Sequence, residues 1–192
     1  MKLLGKSILA LALGFSLANA TEYTIDESHT HVGFSVKHLM ITNVNGEFKT
    51  YNAEIDFDAK TKTFNKLNAV IDTASIDTDN QKRDDHLKSE DFFASEKFPK
   101  MTFQMTSYKV DGDEGIATGN LTIRGITKEV KLKVEDLGTV KDFKNVNRVG
   151  FTLKGKINRM DYDLKWNKAL EAGGVAVSEE VKLIVEVEAV EK

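Results

Sequence analysis

From Val181 to Ala189 the chain reads VKLIVEVEA, and this stretch constrains the fold more than any other. Val181, Leu183, Val185, Val187 and Ala189 share one parity, while Lys182, Glu186 and Glu188 take the other. A period of two is that of an extended strand with one buried and one wet face; a helix would return its apolar residues every three or four positions. The same alternation recurs upstream. Val32, Phe34, Val36 and His38 share a face, followed by Val44, Gly46 and Phe48, by Ile55 and Phe57, and by Leu67, Ala69 and Ile71. Met101, Phe103 and Met105 alternate with Thr102, Gln104 and Thr106. Leu121 and Ile123, then Val130, Leu132 and Val134, then Val149, Phe151 and Leu153 continue the pattern. Turn signals lie between the runs: DGDEG at 111–115, RG at 124–125 and AGG at 172–174 supply residues that accept a positive φ. One wet face per strand argues for antiparallel neighbours. Eight or more such strands in one small domain form either a sandwich or a closed barrel.

One segment breaks the alternation. Residues 78–99, TDNQKRDDHLKSEDFFASEKFP, show no period of two, and Thr78 and Gln81 stand at capping-box spacing. Ser89 followed by Glu90 and Asp91 marks a second short helical turn, acidic where the helix dipole favours it. Pro99, the chain's single proline, ends the segment. Leu87, Phe92 and Phe93 need an apolar partner, which the end of a barrel provides. The segment therefore reads as a helical lid or plug, and it favours the barrel over the sandwich.

The first twenty residues read as a leader outside the fold. Lys2 and Lys6 precede the apolar run ILALALGFSLA, and Ala18-Asn19-Ala20 has the small-x-small pattern of a signal-peptidase site. Cleavage after Ala20 would start the mature chain at Thr21 as a single domain, 21–192, released beyond the inner membrane into the periplasm. The leader is too short for a span of about 20 apolar residues, and no later segment qualifies as an integral membrane span. Without Lys2 and Lys6 the 27 basic residues become 25 against 30 acidic ones, a net charge of −5. Dispersed charge of that sign leaves no footprint for nucleic acid. The absence of cysteine excludes disulfides, thiol catalysis and thiolate metal sites, so burial and the backbone ladder must hold the fold together.

His29, His31 and His38 fall within ten residues, which raises the question of a metal or proton-transfer centre. In a strand His29 and His31 share a face and His38 has the opposite parity, so the three do not converge on one ion. His86 lies in the helical segment and reaches one group but not both. A His-x-His pair needs a third ligand and an orienting shell to hold zinc, so no metal is expected. His29 is assigned a structural hydrogen bond near the barrel's end. His38, ending an apolar inward row, is placed to meet a ligand's polar head. No G-x-S-x-G elbow, H-E-x-x-H pair, phosphate loop or EF-hand loop is present, and catalysis is not indicated.

Four ordered motifs resemble the YceI-like family: DESHTHVGFSVKHL from Asp26 to Leu39, VNGEF from Val44 to Phe48, RDDHLKSEDFFASEKFP from Arg83 to Pro99, and GNLTIRGITK from Gly119 to Lys128. The resemblance spans essentially the whole mature chain and is looser around NRMDYDLKWN. It implies a lipocalin-like, eight-stranded antiparallel β-barrel around a long apolar tunnel. It also implies an exported protein that binds a polyisoprenoid, isoprenoid quinone or similar amphiphile, with no other cofactor and commonly as a homodimer. In such a tunnel the inward parity puts Phe34, Val36, Phe48, Ile71, Met101, Phe103 and Met105 on the wall. Leu121, Ile123, Phe151, Leu183 and Val185 join them, with Phe92 and Phe93 from the lid. Gly46 and Ala69 leave lumen, and His38, Arg83 and Asp84 form a polar mouth. Two other functions fit the same residues: a stress or interaction protein whose cavity is only structural, and an enzyme that modifies the lipid with a mouth histidine and carboxylate.

Overall fold

The computed structural model describes residues 21–112, 114–169 and 174–192. The expected leader lies outside the described residues, as do Asp113 and the Ala172-Gly173 part of the AGG turn. The alternating runs form β1 (Thr21–Ile25), β2 (His31–His38), β3 (Thr42–Phe48), β4 (Tyr51–Asp58), β5 (Thr63–Asp72), β6 (Ile76–Asp77), β7 (Lys100–Asp111), β8 (Glu114–Ile123), β9 (Ile126–Lys141), β10 (Asn147–Asn158) and β11 (Val177–Glu191). From β7 onward they run as an antiparallel meander.

Closure falls to β11. It pairs with β10 along one edge, and along the other with β2 and, further on, with β1. β1 and β2 are two halves of one barrel strand, broken by a turn in which Asp26 accepts from the Ser28 backbone N–H at 3.1 Å. β3 and β4 are likewise one strand interrupted at Lys49 and Thr50; β3 pairs with β2, and β4 with β1 and β5. The result is a closed eight-stranded antiparallel barrel with one short helix. Among the described residues closure leaves no long unpaired edge, which is how an all-β chain without disulfides avoids edge-to-edge association.

The helix α1 (Gln81–Lys88) is shorter than the segment the sequence marked. Its N-cap is Asn80, whose side chain accepts from the Arg83 N–H at 3.0 Å. Thr78, the capping residue expected from its spacing to Gln81, instead donates through its hydroxyl and its N–H to the buried Asp84 carboxylate. Asparagine is the stronger N-cap, and a buried carboxylate needs donors more than the helix needs a second cap. Ser89 does not start another helical turn. It ends α1, and residues 89–98 continue as successive tight turns, closed by bonds such as Phe98 N–H to the Ala94 carbonyl at 2.8 Å.

Packing differs along the barrel axis. At one end the inward side chains fill the interior: Phe57, Phe64, Phe151 and Tyr108 form an aromatic layer, with Phe64 4.7 Å from Phe57, 4.8 Å from Phe151 and 5.2 Å from Tyr108, ring centre to ring centre. Ala117, Val134, Val149 and Ala189 complete it and are wholly buried. Towards the other end, where α1 sits, the barrel is hollow.

Candidate ligand cavity

The hollow is a single cavity of about 210 Å³. The aromatic layer lies below it as the solid floor of the barrel, with Ile55, Leu67 and Leu153 between that layer and the open space. The cavity's roof is Leu87 from α1 with Phe92 and Phe93 from the turns that follow, and Phe93 meets Phe48 edge-on at 5.7 Å. The inward row of β11, Val181 to Val187, and Val32, Phe34 and Val36 of β2 are only half-buried although they point inward, because one side of each faces empty space. The inward rows of β8 and, apart from Gly155, of β10 are buried. The cavity therefore runs along the β2–β11 side, over about 20 Å of strand from Val181 to Val187 at roughly 3.3 Å per residue.

Small residues open part of this space. Ala53 and Ala69 are register partners on β4 and β5, next to Phe103 on β7, and both line the cavity. Gly46 does not leave lumen as expected. The Phe34 ring lies over it, so that a Cβ on Gly46 would come within 2.5 Å of Phe34 Cζ and 2.7 Å of Thr78 Cγ2. An aromatic ring that covers a cross-strand glycine fills the gap which the missing side chain would leave.

Of the wall residues expected from the sequence, Phe34, Val36, Phe48, Ile71, Met101, Phe103, Leu121, Ile123, Leu183 and Val185 line the cavity, as do the lid residues Phe92 and Phe93. Met105 and Phe151 point inward but do not reach it. Phe151 is part of the floor, and Met105 packs against the same buried cluster. Parity reports which face a residue takes, not how far down the barrel it sits. The three polar mouth residues are not on the wall either. Arg83 donates to the Thr78 hydroxyl and carbonyl at 2.7 and 2.6 Å, and Asp84 accepts from Thr78, so both hold the start of the lid in place. His38 ends β2 half-buried, opposite Thr42 and Val177.

Polar groups reach the cavity at few points. Tyr51, whose phenol is pushed up in pKa by burial, donates to the Thr30 carbonyl at 2.6 Å. Arg159, only 3% exposed, continues the inward parity of Val149, Phe151, Leu153 and Ile157, a signal that sequence reading passed over. Its Nε donates to the Ser178 carbonyl at 2.9 Å, Nη1 to the carbonyls of Leu164 and Trp166, and Nη2 to that of Val177 at 3.3 Å. These bonds fasten the loop after β10 to the start of β11 beside the roof. Burial draws the Arg159 pKa below its usual value.

The histidines take separate partners. His29 lies in the turn after β1, not in a strand, 3.1 Å from Asp26 Oδ2; His31 lies 2.8 Å from Glu47 Oε2; and His86 lies 2.8 Å from Asp91 Oδ2, edge-on to Phe92 and Trp166. Among the described residues one set of metal-capable groups converges, Asp26, His29 and Glu188, with ligand atoms within 4.8 Å of one another. Arg148 already sits on both carboxylates, 2.8 Å from Asp26 and 2.6 Å from Glu188, and also bonds Asp142 at 3.1 Å. A guanidinium occupies the place a divalent cation would take. The set lies on the outward face of the wall, on the parity opposite Val149 and Val187.

The YceI-like domain model matches residues 23–189, nearly the whole described chain. The chain belongs to the YceI-like family. This YceI-like chain is 38% identical over 192 residues to the protein YceI of Escherichia coli O157:H7, covering 99% of this chain and 97% of that one. A crystal structure of a Campylobacter jejuni YceI protein superposes with a TM-score of 0.73 at 43% identity, covering 88% of this chain and 98% of the other. A polyisoprenoid-binding domain from Saccharophagus degradans shares the fold of this YceI-like barrel with a TM-score of 0.63 at 16% identity, covering 88% and 98%.

Proposed function

We propose that the protein binds a long-chain isoprenoid-like lipid, a polyisoprenoid or an isoprenoid quinone, in the roofed end of its barrel, and stores or carries it in the periplasm as a non-catalytic binding protein. The observation that carries this reading is the half-buried inward face of β2 and β11 around an apolar cavity of about 210 Å³. An empty apolar cavity of roughly 150 Å³ already takes up a benzene-sized guest. A slender chain lying along β11 would bury its methylenes at roughly 25 cal/mol per Å² of apolar area, with ordering costs set against that gain. A tail longer than the present space enters by displacing side chains that have room to turn: Phe34, Leu87 and Phe93 are half-buried, and Met101 on the wall repacks readily. The kinship with a polyisoprenoid-binding domain supports the ligand class.

The wall has almost no polar surface, so the cavity selects the tail and leaves the headgroup to the rim, where His86, Asp91 and Trp166 gather. The test is native mass spectrometry of protein purified from its own periplasm without detergent. A co-purified hydrocarbon-rich ligand is the expected result. A wholly ligand-free protein that also shows no thermal shift with added prenols would end this reading.

A further inference from the structure

Neither the fold nor the cavity accounts for the tip of the β2–β3 hairpin. There Leu39, Met40 and Ile41 are 36%, 53% and 80% exposed. The turn is a tight one, with the Ile41 N–H donating to the His38 carbonyl at 3.1 Å and both central residues left-handed, Leu39 at φ 48° and Met40 at φ 62°. That geometry is the one asparagine and glycine fill at little cost. A Leu-Met pair there carries backbone strain and is only partly buried in return, and strain kept in place by a structure points to use.

The tip lies at the roofed end of the barrel. β2, which carries Val32, Phe34 and Val36 along the cavity, runs out into it, and the Leu39 N–H donates to the Ala176 carbonyl next to the loop that holds Trp166. Acidic residues outnumber basic ones overall, 30 to 27, yet none occurs between Val32 and Gly46, and Lys37 is exposed; Glu179 and Glu180, in the β11 bulge beside Lys37, are engaged by Asn158 and Lys156. Lys168 is one further rung away, its carbonyl accepting from the Ala176 N–H at 2.9 Å.

We propose that this tip inserts into the headgroup layer of an anionic bilayer and sets the roofed end of the cavity against the membrane. A bilayer fits better than a protein partner. Three side chains on a two-residue turn fall far short of the roughly 800 Å² per partner of a stable interface. Exposed apolar side chains flanked by cations are what interfacial anchoring requires. The inference goes beyond the cavity reading and stands on the tip's own exposure and strain.

The test compares the exported protein with a triple variant, Leu39→Asn, Met40→Gly and Ile41→Thr, in sedimentation with vesicles of phosphatidylethanolamine and phosphatidylglycerol. Asn-Gly suits the two left-handed positions, so the variant should melt at the same temperature or higher while its vesicle binding falls about tenfold or more. Wild-type binding should also weaken with added salt. A wild type that does not sediment with vesicles at low salt overturns the proposal, as does a variant that sediments equally well. So does a variant whose only change is from dimer to monomer in sedimentation velocity, since the tip would then be a contact between copies. Thermal shifts with detergent-delivered prenol, run on both proteins, read the cavity separately, so failure of lipid uptake and failure of membrane docking are distinguishable.

Discussion

Ala69→Trp sends an indole from the middle of β5 into the space beside Ala53 and Phe103. The hollow sets the scale of the effect. At about 24 cal/mol per Å³, an empty cavity of about 210 Å³ leaves the ligand-free form roughly 5 kcal/mol short of a filled interior. A side chain that fills part of such a space recovers about 1–2 kcal/mol. For a chain of this size that raises the midpoint of thermal unfolding by roughly 2–8 °C. In a solid core the same substitution would overpack the interior and cost about 1–3 kcal/mol, lowering the midpoint instead. The sign of the shift therefore decides between hollow and solid. The assay is calorimetric melting of delipidated wild type and variant, followed by addition of a long-chain prenol. The expected outcome is a variant that melts higher than wild type without ligand and no longer responds to the prenol. A variant that melts lower, together with a wild type that does not respond, would refute both the cavity and the tail-binding reasoning.

Floor and wall should respond differently to truncation. Phe64→Ala, in the aromatic layer, is expected to cost about 3–5 kcal/mol with or without lipid, whereas Phe103→Ala should cost less in the lipid-bound protein than in the ligand-free one, as urea titrations of both forms would show. Asp26, held well below the usual carboxylate range by the Ser28 hydroxyl, Arg148 and His29, contributes stability above pH about 4, and that contribution is lost as the pH falls through its depressed native value. Asp26→Asn should therefore be less stable than wild type at pH 7, and the gap should shrink on acidification below about pH 4; a gap of constant size in unfolding titrations from pH 7 to pH 2 would contradict this. N-terminal sequencing of exported protein should begin at Thr21, and recovery of Met1 in a membrane fraction would overturn the periplasmic reading.

Alternation by itself determined which residues face inward. The row Val181 to Ala189, the row Val32 to Val36, and the pairing of Met101 and Phe103 with the interior follow from the pleat, a local property of any extended chain. The Arg124-Gly125 turn was equally legible, since both residues adopt the positive φ that the pair signals. The Leu39-Met40 turn was not, because neither residue advertises that conformation. Nor did the sequence disclose height along the barrel axis. Met105 and Phe151 share the parity of the wall residues, yet one packs against the buried cluster and the other is floor. Height depends on strand tilt and stagger, and those exist only once β11 has closed the sheet. The same holds for Arg83 and Asp84. Their charge suggested a mouth, but Thr78, brought alongside by the short β6, absorbs both. Arg159 shows the converse: a charge on an inward parity became tolerable because the loop at 164–166 and the start of β11 fold back to place four carbonyls around it. Parity is settled within a few residues of chain. Depth, and the partners of buried charges, are settled by segments that meet only in the closed barrel.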